Sequence, residues 1–172
     1  MNALARIFVY GTLKTGQPNH SFMLNRTNGQ CEMLCSNATT SKTYPMTVAG
    51  EVWLVDQQML RSLDDFEGHP DFYRRREDTI KCCAKDVSGR LTKLEQRMRE
   101  NIIVEQIAEA IQKTSKNADF IDINCWAYFL PKWKPCLLDL TYHSNYNAYG
   151  SHDLEYALAN DDINCEEDIY NR

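Results

Sequence analysis

The sequence predicts an α+β fold in one domain, and three stretches carry that prediction. Ile7, Phe8, Val9 and Tyr10 form an almost continuous apolar run that stops at Gly11, as a central strand buried on both faces would. Thr47, Val48, Val52, Trp53 and Val55 make a second, β-branched and aromatic run, closed by Asp56. From Thr92 to about Thr114 good helix formers dominate.

A chain of 172 residues can bury a core without disulfides or metal. The formal net charge is -5, and the only basic run, Arg74 to Arg76, is followed at once by Glu77 and Asp78, so no nucleic-acid partner is expected. Met1 to Arg6 lacks a long apolar stretch, and no later segment has the length to cross a bilayer, which predicts a cytosolic (cytoplasmic) chain with no membrane partner. The 7 cysteines are odd in number and unevenly spaced, as reduced thiols would be. Cys31 and Cys35 lack zinc-knuckle spacing, and the 4 histidines form no short-spaced pair. Neither a metal nor a cofactor is expected.

Taken in order, the first strand covers Ala5 to Tyr10. Gly11 and Gly16 enclose four residues in the manner of a phosphate loop, but Gln17 and Pro18 stand where lysine and a hydroxyl residue would have to follow, so a nucleotide site is rejected. The second strand runs from Thr47 to Val55, with Gly50 as a bend or bulge. Asp56 is a good N-cap for a helix that runs through Leu60 and Leu63 to Phe66 and stops before Gly68 and Pro70. Phe72 to Lys81 and Asn124 to Leu130 read as further strands.

Between those two strands, at about 86–118, a helical insertion is expected. Thr92 and Glu95 suit a capping box, and Glu95 with Arg99 and Glu109 with Lys113 are favourable pairs four apart. Its apolar stripe shifts: Leu91, Leu94, Met98 and Ile102 share one side, Val104, Ile107 and Ile111 the other, so the helix either kinks or packs its two ends against different surfaces. The acidic tail at about 160–172 reads as solvated charge and is expected to be mobile.

Two features bear on chemistry. Leu60, Leu63 and Glu67 share a helix face, which points one carboxylate toward the interior. Burial and the negative end of the helix both disfavour its ionised form, giving a raised pKa suited to acid/base catalysis. The competing arrangement has Glu67 bending out to water or pairing with one of Arg74 to Arg76. Asp64 and Asp65 read as solvated. The strand end at Gly11, Thr12 and Leu13 can present successive backbone N–H groups to an anion or oxyanion, with glycine permitting close approach.

Phe8-Val9-Tyr10-Gly11-Thr12-Leu13-Lys14, with Gly16, Pro18, Asn19 and His20 behind it, resembles the opening of the gamma-glutamylcyclotransferase-like family, in its gamma-glutamylamine cyclotransferase branch. Gly50-Glu51-Val52-Trp53, Met59-Leu60, Leu63-Asp64, Phe66-Glu67 and Tyr73-Arg74-Arg75 resemble its central segment. Cys125-Trp126-Ala127-Tyr128, Tyr146, Gly150, His152 and Leu154 resemble its closing one. The resemblance implies a small mixed β-barrel with flanking helices and a small-molecule gamma-glutamyl substrate. It implies Glu67 as the acid/base and the turn of Tyr10, Gly11, Thr12 and Leu13 as the substrate-binding element. The implied reaction releases 5-oxoproline and a free amine. A non-catalytic or truncated relative that binds a metabolite or a protein is the alternative. The chain departs from the family at Ala49, which runs directly into Gly50 where relatives pass through another loop and strand, so a barrel short of one strand, with an open edge, is expected.

Overall fold

β1 (Ala5–Val9), β2 (Cys31–Thr40), β3 (Ala49–Val55), β4 (Arg74–Cys83) and β5 (Phe120–Phe129) close into a barrel in the spatial order β1-β3-β2-β4-β5. The structure is a computed structural model that describes residues 4–42, 48–97, 102–113, 118–133, 135, 139 and 145–150. Neighbouring strands are antiparallel except at the closure, where β5 returns parallel to β1 with Ile7 beside Trp126. Each of the five strands therefore has two neighbours, and the open edge expected from the shortening after Ala49 does not arise.

The first strand is central, as its apolar run requires: Ile7, Phe8 and Val9 are all buried, with β3 on one side and β5 on the other. Alternate residues feed two cores. Phe8, Val52, Leu54, Ile80, Ile121 and Ile123 pack with α3 (Ala84–Arg97) and α4 (Ile102–Lys113). Ile7, Val9, Trp53 and Val55 pack against α2 (Gln57–Phe66) and, through Met23, α1 (His20–Leu24). Asp56 caps α2 by accepting from the Met59 amide at 2.8 Å, and Met59, Leu60 and Leu63 bury its apolar stripe, each contributing ~2 kcal/mol. The helix ends where Gly68 takes a left-handed φ of 61°.

One strand was missed and two sequence readings need correction. Sequence patterning did not anticipate β2, because register shifts between Met33 and Cys35 and between Cys35 and Ala38 break its alternation. Gly50 is no bulge: it pairs regularly with Ala38, and a Cβ there would lie 2.3 Å from the Val9 carbonyl oxygen and 2.6 Å from the Phe8 ring. The single helix expected from Thr92 to Thr114 is two helices, and α3 starts directly from β4 at Ala84, so Thr92 lies inside a helix rather than at its start. The shift of stripe reflects this division, since Val87, Leu91 and Leu94 of α3 and Val104 and Ile107 of α4 all join one core. The Glu109–Lys113 pair forms, at 3.3 Å. Met98, Arg99, the segment Tyr44 to Thr47 and the acidic tail lie outside the described residues.

Gly50→Ala is expected to lower stability by ~3 kcal/mol, since its methyl meets the Val9 carbonyl oxygen and the ring of Phe8, which is fully buried and has nowhere to swing. A fall in Tm of roughly 10 °C by calorimetry is the expected reading.

Candidate active site

At the end of β1 the chain leaves the sheet through a single 3-10 turn, Gly11–Leu13. Gly11 has φ 71°, a conformation that disfavours any side chain, and a Cβ built there would meet nothing within 4 Å. The first amides of a helical turn have no acceptor within the turn itself, so Gly11 and Thr12 carry the donors of this strand end. Residues behind the turn hold it in shape. Asn19 donates from its side chain to the Thr12 hydroxyl and from its backbone to the Thr12 carbonyl, both at 3.0 Å. The His20 ring nitrogen Nδ1 lies 3.2 Å from the Leu13 carbonyl, and Leu13 itself is buried.

Glu51 anchors the next residues. Its buried carboxylate receives the Thr15 N–H, the Thr15 hydroxyl and the Trp53 indole N–H, all at 3.1 Å. A charged acceptor with several donors is strongly held, which fixes the loop to β3. Lys14 is also buried and donates to the Asn145 side chain and, at 2.8 Å, to the Tyr146 carbonyl. Burial lowers its pKa, and the charge of Glu51 opposes the fall. Gln17 accepts from the Ala148 amide at 2.7 Å, so residues 145–148 form a wall beside the turn.

Glu67 sits at the C-cap of α2, half-buried, with its backbone carbonyl receiving the Tyr73 amide. Among the described residues nothing hydrogen-bonds or ion-pairs with its carboxylate. Desolvation raises its pKa from 4.5 to about 7. Of the three arginines offered by the sequence, Arg75 pairs with Asp64 at 2.9 Å, Arg76 lies 3.8 Å over the Phe129 ring, and Arg74 is exposed. Glu67 is close enough to Tyr10 and Tyr128 for its charge to raise both phenol pKa values, after desolvation as the main cause. Tyr10 is therefore a neutral donor, and its hydroxyl hydrogen-bonds the Tyr128 carbonyl.

The Tyr128 hydroxyl in turn donates to Asp64 at 2.7 Å. Asp64 was expected to be solvated. Instead it is half-buried, holding Tyr128 with one oxygen and Arg75 with the other, because a residue at the rim of an apolar face needs only one neighbouring strand to cover it. Asp65 is exposed as expected. The structure thus brings Tyr10, the Gly11–Leu13 turn and Glu67 to one end of the barrel.

A family model described as "Gamma-glutamyl cyclotransferase, AIG2-like" matches residues 7–148. This chain belongs to that family. It is 33% identical to a gamma-glutamylaminecyclotransferase of Rattus norvegicus, covering 89% of this chain and 96% of the relative, and 31% identical to that of Mus musculus over the same shares. Among solved structures, the crystal structure of an AIG2-like protein from Mus musculus aligns with a TM-score of 0.66 at 28% identity, covering 91% of this chain and 97% of that one.

Within this gamma-glutamyl cyclotransferase family member, sequence reasoning offered the turn and Glu67 as candidates but did not anticipate the contacts that surround them. Glu51, Asp64 and Tyr128 each hold the site through contacts distant in sequence. A weak signal existed for Glu51, a carboxylate inside an otherwise apolar strand, which must have partners if it is buried. Gly150 ends the described residues here, and His152 and Leu154 lie outside them.

Glu51→Ala leaves three donors unanswered and is expected to cost ~3 kcal/mol, measurable by urea denaturation, with Glu51→Gln losing less. For Glu67 the sign is the reverse of a paired carboxylate. Its folded pKa lies above its unfolded value, so the stability linked to it is present below about pH 4.5 and lost as pH rises through about 7. Glu67→Gln is therefore expected to match wild type near pH 4 and to melt higher than wild type near pH 8.5.

Proposed function

We propose that this chain is a single-domain gamma-glutamylamine cyclotransferase, releasing 5-oxoproline and a free amine from substrates such as gamma-glutamyl-ε-lysine. The observation that carries the reading is Glu67, a carboxyl with a pKa of about 7 and no partner among the described residues, close to Tyr10 at the head of the Gly11–Leu13 turn in a member of this family. The relatives that match nearly end to end are gamma-glutamylaminecyclotransferases, which supports the same choice of leaving group.

The substrate supplies its own nucleophile. Its α-amine attacks its own γ-carbonyl carbon, a C–N bond forms, and the carbonyl electrons move to oxygen. Collapse of that tetrahedral species breaks the bond to the leaving amine and closes a five-membered lactam. The α-ammonium carries three protons and the lactam nitrogen keeps one, so two must leave it, while the departing amine takes up two to become an ammonium; a single carboxylate can carry them one at a time, as base and then as acid. A carboxyl poised near neutrality suits both halves of that exchange. The Gly11 and Thr12 amides provide donors for the substrate carboxylate or the oxyanion, and the open space before Gly11 lets the substrate approach the backbone. Tyr10, held by the Tyr128 carbonyl, forms a wall that restricts the substrate to its folded conformer.

The test is 5-oxoproline release from gamma-glutamyl-ε-lysine. Wild type is expected to turn over, and Glu67→Gln, shown folded by circular dichroism, to lose ~10²–10⁴-fold in kcat. Because the free carboxylate is needed as base, kcat/KM should climb with pH and level off above about 7. Folded wild type that releases no 5-oxoproline from any gamma-glutamyl amine would overturn the reading.

A further inference from the structure

We infer that the cleft beside the barrel seam is a second binding site, one for a small carboxylate carrying a flat apolar group. β1 and β5 meet as parallel strands at Ile7 and Trp126. On the N-terminal side of that pair, where Ala5, Arg6 and Asn124 lie, a cleft of ≈ 430 Å³ opens, with Gln57 and Leu60 of α2 and Ile103 and Gln106 of α4 on its walls. A second hollow of ≈ 280 Å³ shares Arg6, Gln106 and Asn124 with it. The larger volume is in the range of small-molecule sites, roughly 300–1,000 Å³.

The charges define the ligand. Arg6 is half-buried, and among the described residues it has no ion-pair or hydrogen-bond partner. A guanidinium in that position offers a planar fork that a carboxylate can occupy with both oxygens. Asn124 accepts from the Thr79 hydroxyl at 3.2 Å through its oxygen, which leaves its NH₂ as a donor beside Arg6. Arg75, the other cation of the cleft, is already committed to Asp64 and lies 5.2 Å over the Trp126 ring. The carboxylates on the two hollows, Glu77 on the larger and Asp122 on the smaller, are both exposed to solvent, where their repulsion is screened. Trp126, Leu60 and Ile103 supply apolar surface for a flat group.

This cleft shares no residue with the Gly11–Leu13 turn or with Glu67. Gln57 opens α2 and Glu67 caps its far end, ~15 Å away along the axis. The inference does not depend on the reaction proposed above.

Benzoate is the probe, with uncharged benzamide and inorganic phosphate as controls, titrated into the ¹⁵N-labelled full chain. The Trp126 indole N–H resonance, assigned with Trp126→Phe, is the readout. A saturable shift with benzoate, little response to benzamide, and an affinity loss of ~10–100-fold in Arg6→Gln are expected. Gln106→Glu, an exposed substitution that sets a negative charge in the cleft, should weaken benzoate in the same direction and guards against a folding defect in the Arg6 variant. The inference fails if benzoate gives no saturable shift by ~10 mM. It also fails if benzamide or phosphate shifts Trp126 as well as benzoate does, if neither variant weakens binding, or if the responding amides are those of Gly11 and Thr12.

Discussion

β1 and β5 lie side by side as parallel strands, and without that contact the four antiparallel pairings would leave an open sheet with a bare edge at either end. The seam does more than close the sheet. It sets the end of β1 against the end of β5, so that the Tyr10 hydroxyl reaches the Tyr128 carbonyl and the Tyr128 hydroxyl reaches Asp64 on α2. Strand, strand and helix are thereby fixed to one another at the place where the turn and Glu67 converge. Gly50 serves the same junction from β3, since only a residue without a side chain leaves room for Phe8 and the Val9 carbonyl.

Asp64 and Glu67 stand three residues apart on one helix face and have opposite surroundings. Asp64 has a phenol and a guanidinium to answer its two oxygens, and its charge is used to hold the end of the barrel. Among the described residues Glu67 has neither, and burial moves its pKa to about 7. Had Arg75 reached Glu67 instead, the carboxylate would have been locked in its ionised form and unsuited to receive and return a proton. Asp64 therefore serves the site indirectly, by engaging the cation that could otherwise neutralise it.

Local patterns carried much of this fold. The apolar run before Gly11 marked a central strand, and Asp56, the Leu60–Leu63 stripe and Gly68 marked both ends of α2. What escaped was structure set by distant partners. β2 hides its alternation behind two register shifts, Gly50 looks like a bend until Phe8 is seen against it, and the break between α3 and α4 carries no proline or glycine. The same division applies at the site. Glu67 and the turn stood out as candidates from their local pattern and the family resemblance, while the contacts of Glu51 and Asp64 depend on Thr15, Trp53, Arg75 and Tyr128 arriving from elsewhere in the chain.

The wall that residues 145–148 raise beside the turn is tied to Lys14 and Gln17, across a sequence separation of 131 residues. Closing a loop of that length in an unfolded chain costs ~4 kcal/mol in entropy, which two side-chain anchors cannot overcome alone. Once Tyr128 is docked beside Tyr10 the remaining excursion to Asn145 is short, and its closure becomes far cheaper. The wall is therefore favoured once the seam has formed, and the turn acquires its second side only when residues 145–148 are available to it.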